Sequence, residues 1–254
     1  MTDVADALEL SLEVGELVQL SGGHTARTAE HMNRMARALG AEASQPAISS
    51  INVMMTVTAG GDHHTAVRQA GHFGINFNML SALRALVIDT EVHHLTPEQV
   101  RSRLTLIRNA GPVYPTWLVM LALGGSSAAF AALFGATALG IALTFLGGVA
   151  GAWTRHLLVA RHKKPFVSVT SAAFVAAAIV AGGAQLLDLG RASEPALAAA
   201  TLFLVPGVPM LNGTADLLNA HYLNGVVRLA MSLVIVTSAA VGLLAAVTIV
   251  EALA

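Results

Sequence analysis

Beyond residue 115 the chain is cut into five apolar stretches, at about 116–136, 139–158, 166–187, 196–218 and 225–250. Each approaches or reaches the roughly 20 residues that carry a helix across a bilayer. Within lipid every backbone N–H and C=O must be satisfied inside the protein, which leaves helices as the fold for apolar runs of this length. The charge distribution agrees. Only 11% of the residues are charged and the mean hydropathy is +0.66, against about 25% charged residues in a soluble domain. Residues 1–116 hold eight of the 14 Lys and Arg and 11 of the 15 Asp and Glu. The expected organisation is therefore a soluble α+β domain over residues 1–113 and a five-helix transmembrane bundle over residues 114–254.

Small residues fill the spans: Gly124-Gly125-Ser126-Ser127, Gly147-Gly148-Val149-Ala150-Gly151 and Gly182-Gly183. They let helix backbones approach closely, as in a packed bundle. Arg155, Arg161, Lys163 and Lys164 crowd the link between spans two and three, and the positive-inside rule assigns that link to the cytoplasm. Arg191 lies between spans three and four beside Asp188 and Glu194, and Arg228 follows span four. Alternation then gives a cytoplasmic soluble domain and an external C-terminus. Tyr114 and Trp117 suit the interface at the start of span one. The polar, acidic N-terminus does not read as a cleaved signal peptide. An odd number of spans means that a similar half following in the same polypeptide would be inverted, a common way to build a transporter. The chain carries one such half and is expected to need a partner.

Span four is the unusual one. It contains Pro206-Gly207-Val208-Pro209, followed by Asn212, Thr214 and Asp216. Two prolines and a glycine interrupt a helix ladder, and an ionisable residue in such a segment is costly in lipid. A break of this kind suggests a place where a solute or proton crosses. It would expose a new helix N-terminus, which attracts carboxylates. Asn212 and Thr214 could hydrogen-bond a solute there, and Asp216 could exchange a proton. Asp216 could instead stand at the cytoplasmic interface and only cap a helix or pair with Arg228. Pro206, Gly207, Pro209, Asn212, Thr214, Asp216 and Arg228 are the candidate transport residues. Arg155 and His156 read as interfacial anchors.

In the soluble part, residues 3–20 form an amphipathic helix ending at Gly22-Gly23, and residues 25–39 a second helix closed by Gly40. Residues 47–58 and 63–68, joined by the turn Gly60-Gly61-Asp62, read as a two-stranded hairpin. Residues 76–92 and 96–109 read as helices, the latter capped by Thr96 ahead of Pro97 and Glu98. Net charge −1 gives no sign of nucleic-acid binding. Without cysteine there is no disulfide or thiolate site. The histidine pairs His63-His64 and His93-His94 lack metal-ligand spacing, since strand neighbours face opposite ways. No metal or cofactor is expected. Ser49 and Ser50 lie outside any Gly-x-Ser-x-Gly elbow, so nothing marks an enzyme.

Several motifs together resemble the threonine/serine exporter (ThrE) family. They are the Gly-Gly end of the first helix, Ile48-Ser49-Ser50, Gly74-Ile75-Asn76, Tyr114-Pro115-x-Trp117-Leu118-Val119, Arg155-His156-Leu157-Leu158-x-Ala160-Arg161-His162 and Leu204-Val205-Pro206-Gly207-x-Pro209. The likeness runs almost end to end and is narrowest to the branch in which the exporter is split over two chains; an end at residue 254 fits that form. It implies an inner-membrane subunit exporting a small carboxylate solute, a succinate-like dicarboxylate or threonine and serine. It also implies a YjjB-like small membrane subunit as partner and an oligomer in the lipid bilayer. A proton gradient would drive export. The alternatives are a non-transporting scaffold or sensor whose cytoplasmic domain responds to a ligand, and a membrane-anchored hydrolase. The broken span favours transport over both, since an anchor needs no break.

Overall fold

The computed structural model describes residues 4–70 and 74–253, with residues 191 and 192 described by backbone alone. It divides into two compact units. One joins residues 1–111 to residues 207–230, and the other joins residues 112–206 to residues 231–254.

The first unit begins with α1 (Val4–Leu20) and α2 (Thr25–Ala38). α1 buries Leu10, Val14 and Val18. Its acidic face is held by arginines from elsewhere in the unit: Arg68 and Arg108 both reach Glu13 and Glu16, and Arg101 reaches Asp6 and Glu9. Gly40, at φ +95°, ends α2 in the left-handed conformation that suits glycine.

A three-stranded antiparallel sheet follows, in the order β1 (Ala43–Ile48), β2 (Asn52–Ala59), β3 (Asp62–Gln69). The expected two-stranded hairpin over 47–58 and 63–68 is corrected here. Residues 47–58 are not one strand; they turn at Ser49-Ser50-Ile51, where Ser49 Oγ accepts from the N–H groups of Ile51 and Asn52. A serine hydroxyl can replace strand pairing in this way. Pro46 lies inside β1 rather than before it, which an edge strand tolerates. The turn at Gly60-Gly61 is as expected, with φ +61° and +86° matching a two-residue type I′ hairpin. Val53, Met55 and Val57 point inward to Leu8, Leu12 and Met32.

α3 (Phe77–His93) and α4 (Pro97–Asn109) follow in the same unit. Asn76 caps α3, and Thr96 with Gln99 makes a reciprocal capping box on α4. Leu83, Val87, Val100 and Leu104 pack with the Leu10–Val18 face of α1.

The second unit contains α5 (Thr116–Leu133), α6 (Ala138–Ala160), α7 (Pro165–Leu186) and the short α8 (Glu194–Ala199). The glycines act as packing surfaces. A Cβ on Gly148 would sit 2.9 Å from the Gly124 backbone, and Cβ atoms on Gly147 and Gly151 would meet the Ala176 and Ala172 carbonyls at 2.7 and 2.8 Å. Inside this unit Thr144 Oγ1 donates to Ala196 O, and Thr170 Oγ1 donates to Ser238 O.

Among the described residues four helices are long and apolar enough to cross a membrane: Thr116–Leu133, Ala138–Ala160, Pro165–Leu186 and Tyr222–Ala252. A fifth candidate is the broken pair Glu194–Leu204 and Gly207–Leu218, which passes only jointly. The architecture is that of a mostly helical membrane protein with a small sheet.

Candidate functional site

The expected break in span four is present. A 3-10 turn at Leu202–Leu204 ends in extended backbone at Val205, and α9 (Gly207–Leu218) restarts immediately after Pro206. Pro209 falls in the first turn of α9, where its missing N–H is not needed. After a turn through Ala220 at φ +63°, α10 (Tyr222–Ala252) begins.

α9 and the start of α10 run antiparallel at very short range. A Cβ on Gly213 would meet Gly225 O at 3.2 Å and the Leu229 side chain at 3.0 Å, and one on Gly225 would meet Gly213 O at 2.8 Å. The two glycines set this approach. It brings together the inward faces of the two helices, where residues four apart align. α9 presents Asn212 and Asp216; α10 presents Asn224 and Arg228. Asp216 is fully buried, and Asn224 and Arg228 are each only 6% exposed.

These four side chains meet the α1–α2 link and the β1–β2 turn of the same unit. Thr25 N–H donates to Asp216 Oδ1 at 2.9 Å. Asn212 Nδ2 donates to Gly22 O at 2.7 Å, and Arg228 Nη2 to Gly23 O at 3.0 Å. Asn224 Nδ2 donates to Thr25 Oγ1 and to Ile48 O, while Ser50 Oγ donates to Asn224 Oδ1. Arg228 Nε lies 3.4 Å from Asp216 Oδ2. A carboxylate does lie on a helix N-terminus, as the sequence suggested, but it is the protein's own. Asp216 caps α2, where the dipole and free N–H groups favour negative charge.

Gly22-Gly23 makes this contact possible. Gly22 has φ +91°, and a Cβ on Gly23 would fall 2.6 Å from the Val18 side chain. Both carbonyls are thereby turned toward α9 and α10. His24 adds a second cap, its Nδ1 accepting from Arg27 N–H. Burial lowers the His24 pKa below the usual imidazole value, and the Arg27 charge acts in the same direction, against the raising effect of Asp216. His31, on the next turn of α2, is also lowered, chiefly by burial.

Of the seven expected site residues, Asn212, Asp216 and Arg228 are therefore brought together. Pro206, Gly207 and Pro209 form the break and the first turn of α9. Thr214 is not part of the cluster; it is exposed, and its hydroxyl bonds back to Met210 O. Sequence reasoning missed Gly22, Gly23, Thr25, Ser50 and Asn224. A signal was there: Asp216 and Asn224, then Asn212 and Arg228, stand four and eight residues either side of Ala220. Polar residues mirrored about a turn at helical spacing mark one shared face of a helical hairpin.

No solved structure matches the chain. It is 31% identical over 240 residues to the "Probable succinate transporter subunit YjjP" of Escherichia coli (strain K12), covering 94% of this chain and 93% of that protein. It is 30% identical over 227 residues to the protein of the same description from Klebsiella aerogenes, covering 89% and 87%. The model of the family described as "Putative threonine/serine exporter" matches residues 9–250. On that match, which spans nearly the whole chain, the protein belongs to the threonine/serine exporter family.

Proposed function

We propose that the chain is one subunit of an inner-membrane exporter of small carboxylate solutes, either a succinate-like dicarboxylate or threonine and serine. The observation that carries this reading is the helix break at Val205-Pro206 inside an otherwise span-long apolar segment. Discontinuous spans are costly, and transporters use them to build movable solute sites. The relatives named as succinate transporter subunits support the substrate class and imply a second subunit. We assign that role to a YjjB-like small membrane protein supplying the inverted half.

In this reading the broken pair counts as one span, giving five, with the soluble domain in the cytoplasm. The cationic link between spans two and three supports that orientation. The 31 residues of α10 make about 46 Å of helix, whereas the hydrocarbon layer is about 30 Å thick. A helix of that length outruns the layer, so Asn224 and Arg228 in its first two turns need not stand at the middle of the layer. The proton gradient supplies the driving force. Asp216 is the only fully buried carboxylate among the described residues, which makes it the candidate proton carrier as well as the cap of α2.

Efflux of labelled succinate, threonine and serine from loaded cells tests the reading. Export of at least one solute should require both this chain and the partner subunit. No efflux of any of the three above that of cells lacking both would refute it, and robust efflux from this chain alone in liposomes would refute the split arrangement.

A further inference from the structure

We propose that the soluble domain is a rigid handle on the broken helix. Residues 4–70 and 74–109, α9 and the first two turns of α10 move as one body in the transport cycle, and flexing occurs at Val205-Pro206 and along α10 after Ala230. This rests on the exporter reading and adds to it what the soluble domain does.

The contact has the character of a core rather than of a dock. Four side chains from two helices reach the polar groups of Gly22, Gly23, Thr25, Ile48 and Ser50, all within one compact unit. Asp216, Asn224 and Arg228 are buried. Parting the surfaces would strip six hydrogen bonds at once, taking from the buried Asp216–Arg228 pair the Thr25 amide and Gly23 carbonyl that hold it and uncapping the N-terminus of α2. Each orphaned buried donor or acceptor costs its own desolvation. Moving α9 with the domain still attached breaks none of these contacts. The chain is also weakest where the handle ends. The ladder of hydrogen bonds is already interrupted at Pro206, so a hinge there loses little. The Gly213–Gly225 approach fixes α9 to α10, so the helix on the far side of the turn is carried along.

The handle makes the transporter sensitive to anything that grips the soluble domain. A force or a bound protein on α3 or β3 acts on α9 without a separate relay, because no mobile joint lies between them. Release of the domain from α9, as in a ligand-operated latch, is the opposite mechanism and gives the opposite result below.

The chain has no cysteine, so introduced pairs are clean. Ser50→Cys with Asn224→Cys puts one sulfur at Ser50 Oγ and the other at the Asn224 Cγ position, one bond from the Oδ1 that now lies 3.2 Å from Ser50 Oγ. The double variant is co-expressed with the YjjB-like subunit, oxidised, and compared with its own reduced form for efflux of labelled succinate. The handle predicts efflux within about twofold in the two forms. A loss of more than about fivefold on oxidation, restored by reductant, would overturn it. Because Asn224→Cys could itself impair the protein, a second measurement stands beside it. Spin labels at Ile51→Cys and Leu211→Cys, both exposed, report the distance within the proposed body in the two-subunit complex in nanodiscs. That distance should stay fixed when succinate and a pH gradient are applied, while a pair at Ile51→Cys and Leu186→Cys changes. A second population for the Ile51–Leu211 pair overturns the handle. Two unchanging pairs together with wild-type efflux would mean that the handle does not move, which also overturns it; absence of wild-type efflux defeats the exporter reading instead.

Discussion

Replacing Arg228 by methionine tests the Asp216–Arg228 pair most directly. The substitution keeps much of the side-chain volume but removes the charge 3.4 Å from Asp216 Oδ2 and the donor to Gly23 O. Asp216 is then a fully buried carboxylate with Thr25 N–H as its remaining contact in the cluster. Breaking a buried pair by removing one partner costs about 3–5 kcal/mol. Asp216→Asn is milder, because an amide oxygen can still accept from Thr25; losing the charged character of the hydrogen bonds costs about 1.5–3 kcal/mol. The two single costs sum to roughly 6 kcal/mol, but the double variant has no orphaned charge. Its cost should fall short of that sum by about 2 kcal/mol, within the usual coupling of residues in one network.

The Thr25 amide itself is the reporter. Hydrogen exchange over residues 22–30, followed in detergent or nanodiscs, measures opening of the α2 N-terminus. Arg228→Met should lower protection there by about a hundredfold to a thousandfold, since 1.4 kcal/mol is a factor of ten. Protection of α4, far along the unit, should change much less. Strict additivity of the two single variants, within about 0.5 kcal/mol, would refute the pairing. So would unchanged exchange at residues 22–30 in Arg228→Met.

Replacing Pro206 and Pro209 with alanine restores hydrogen-bond donors to the broken span and should leave expression and thermal stability unchanged or improved, while efflux collapses; normal efflux from a well-expressed double variant would make the break incidental. His24 and His31 both have depressed pKa values from burial, so the folded state takes up fewer protons than the unfolded one, and their contribution is complete above about pH 6.5 and lost as the pH falls below it. The protection factor at the N-terminal half of α2, which corrects for the slower intrinsic exchange of amides in acid, should therefore fall on acidification below that value, and His31→Gln should flatten the response; a response unchanged in that variant would remove His31 from the explanation. A C-terminal reporter fused after Ala254 should read as external if the broken pair is one span, and strong cytoplasmic activity there would require an even number of spans.

Much of the helical part was legible because its signals are local. Hydropathy found the four long apolar helices and the broken pair, and the cap at Thr96 with breakers at Gly40 and Pro206 placed ends to within a few residues; Asn76, expected inside α3, is its cap. The sheet was misread at Ser49-Ser50-Ile51, because a turn held by a serine hydroxyl carries no glycine–asparagine signature, and because Pro46 looked like a strand opener. The site was half legible. Asn212, Asp216 and Arg228 stood out as polar groups in an apolar background. Their partners did not, since Gly22, Gly23 and Ile48 contribute backbone carbonyls, and a carbonyl is the same in every residue. The pairings also join positions about 175 to 205 apart in sequence, and no periodicity reports contacts at that range.

The cluster changes how the broken span is best understood. A carboxylate buried beside a proline break invites a role at the middle of the membrane, where charge is expensive and therefore functional. Here its neighbours are the N-terminus of α2 and a guanidinium that also holds a soluble-domain carbonyl. Both neighbours balance a negative charge, so the fold compensates the carboxylate and no substrate is needed to do so. The expense that marks the site is thus met at the end of α9 that joins the soluble domain. The opposite end is the one left open: Gly207 lies exposed there, and a methyl group added to it would have nothing within 4 Å. On the exporter reading proposed above, a solute at the break would meet the first turn of α9, about 14 Å of helix from Asp216. The four-residue spacing of Asn212 and Asp216 keeps the attachment on one face of α9 and leaves the first turn out of it.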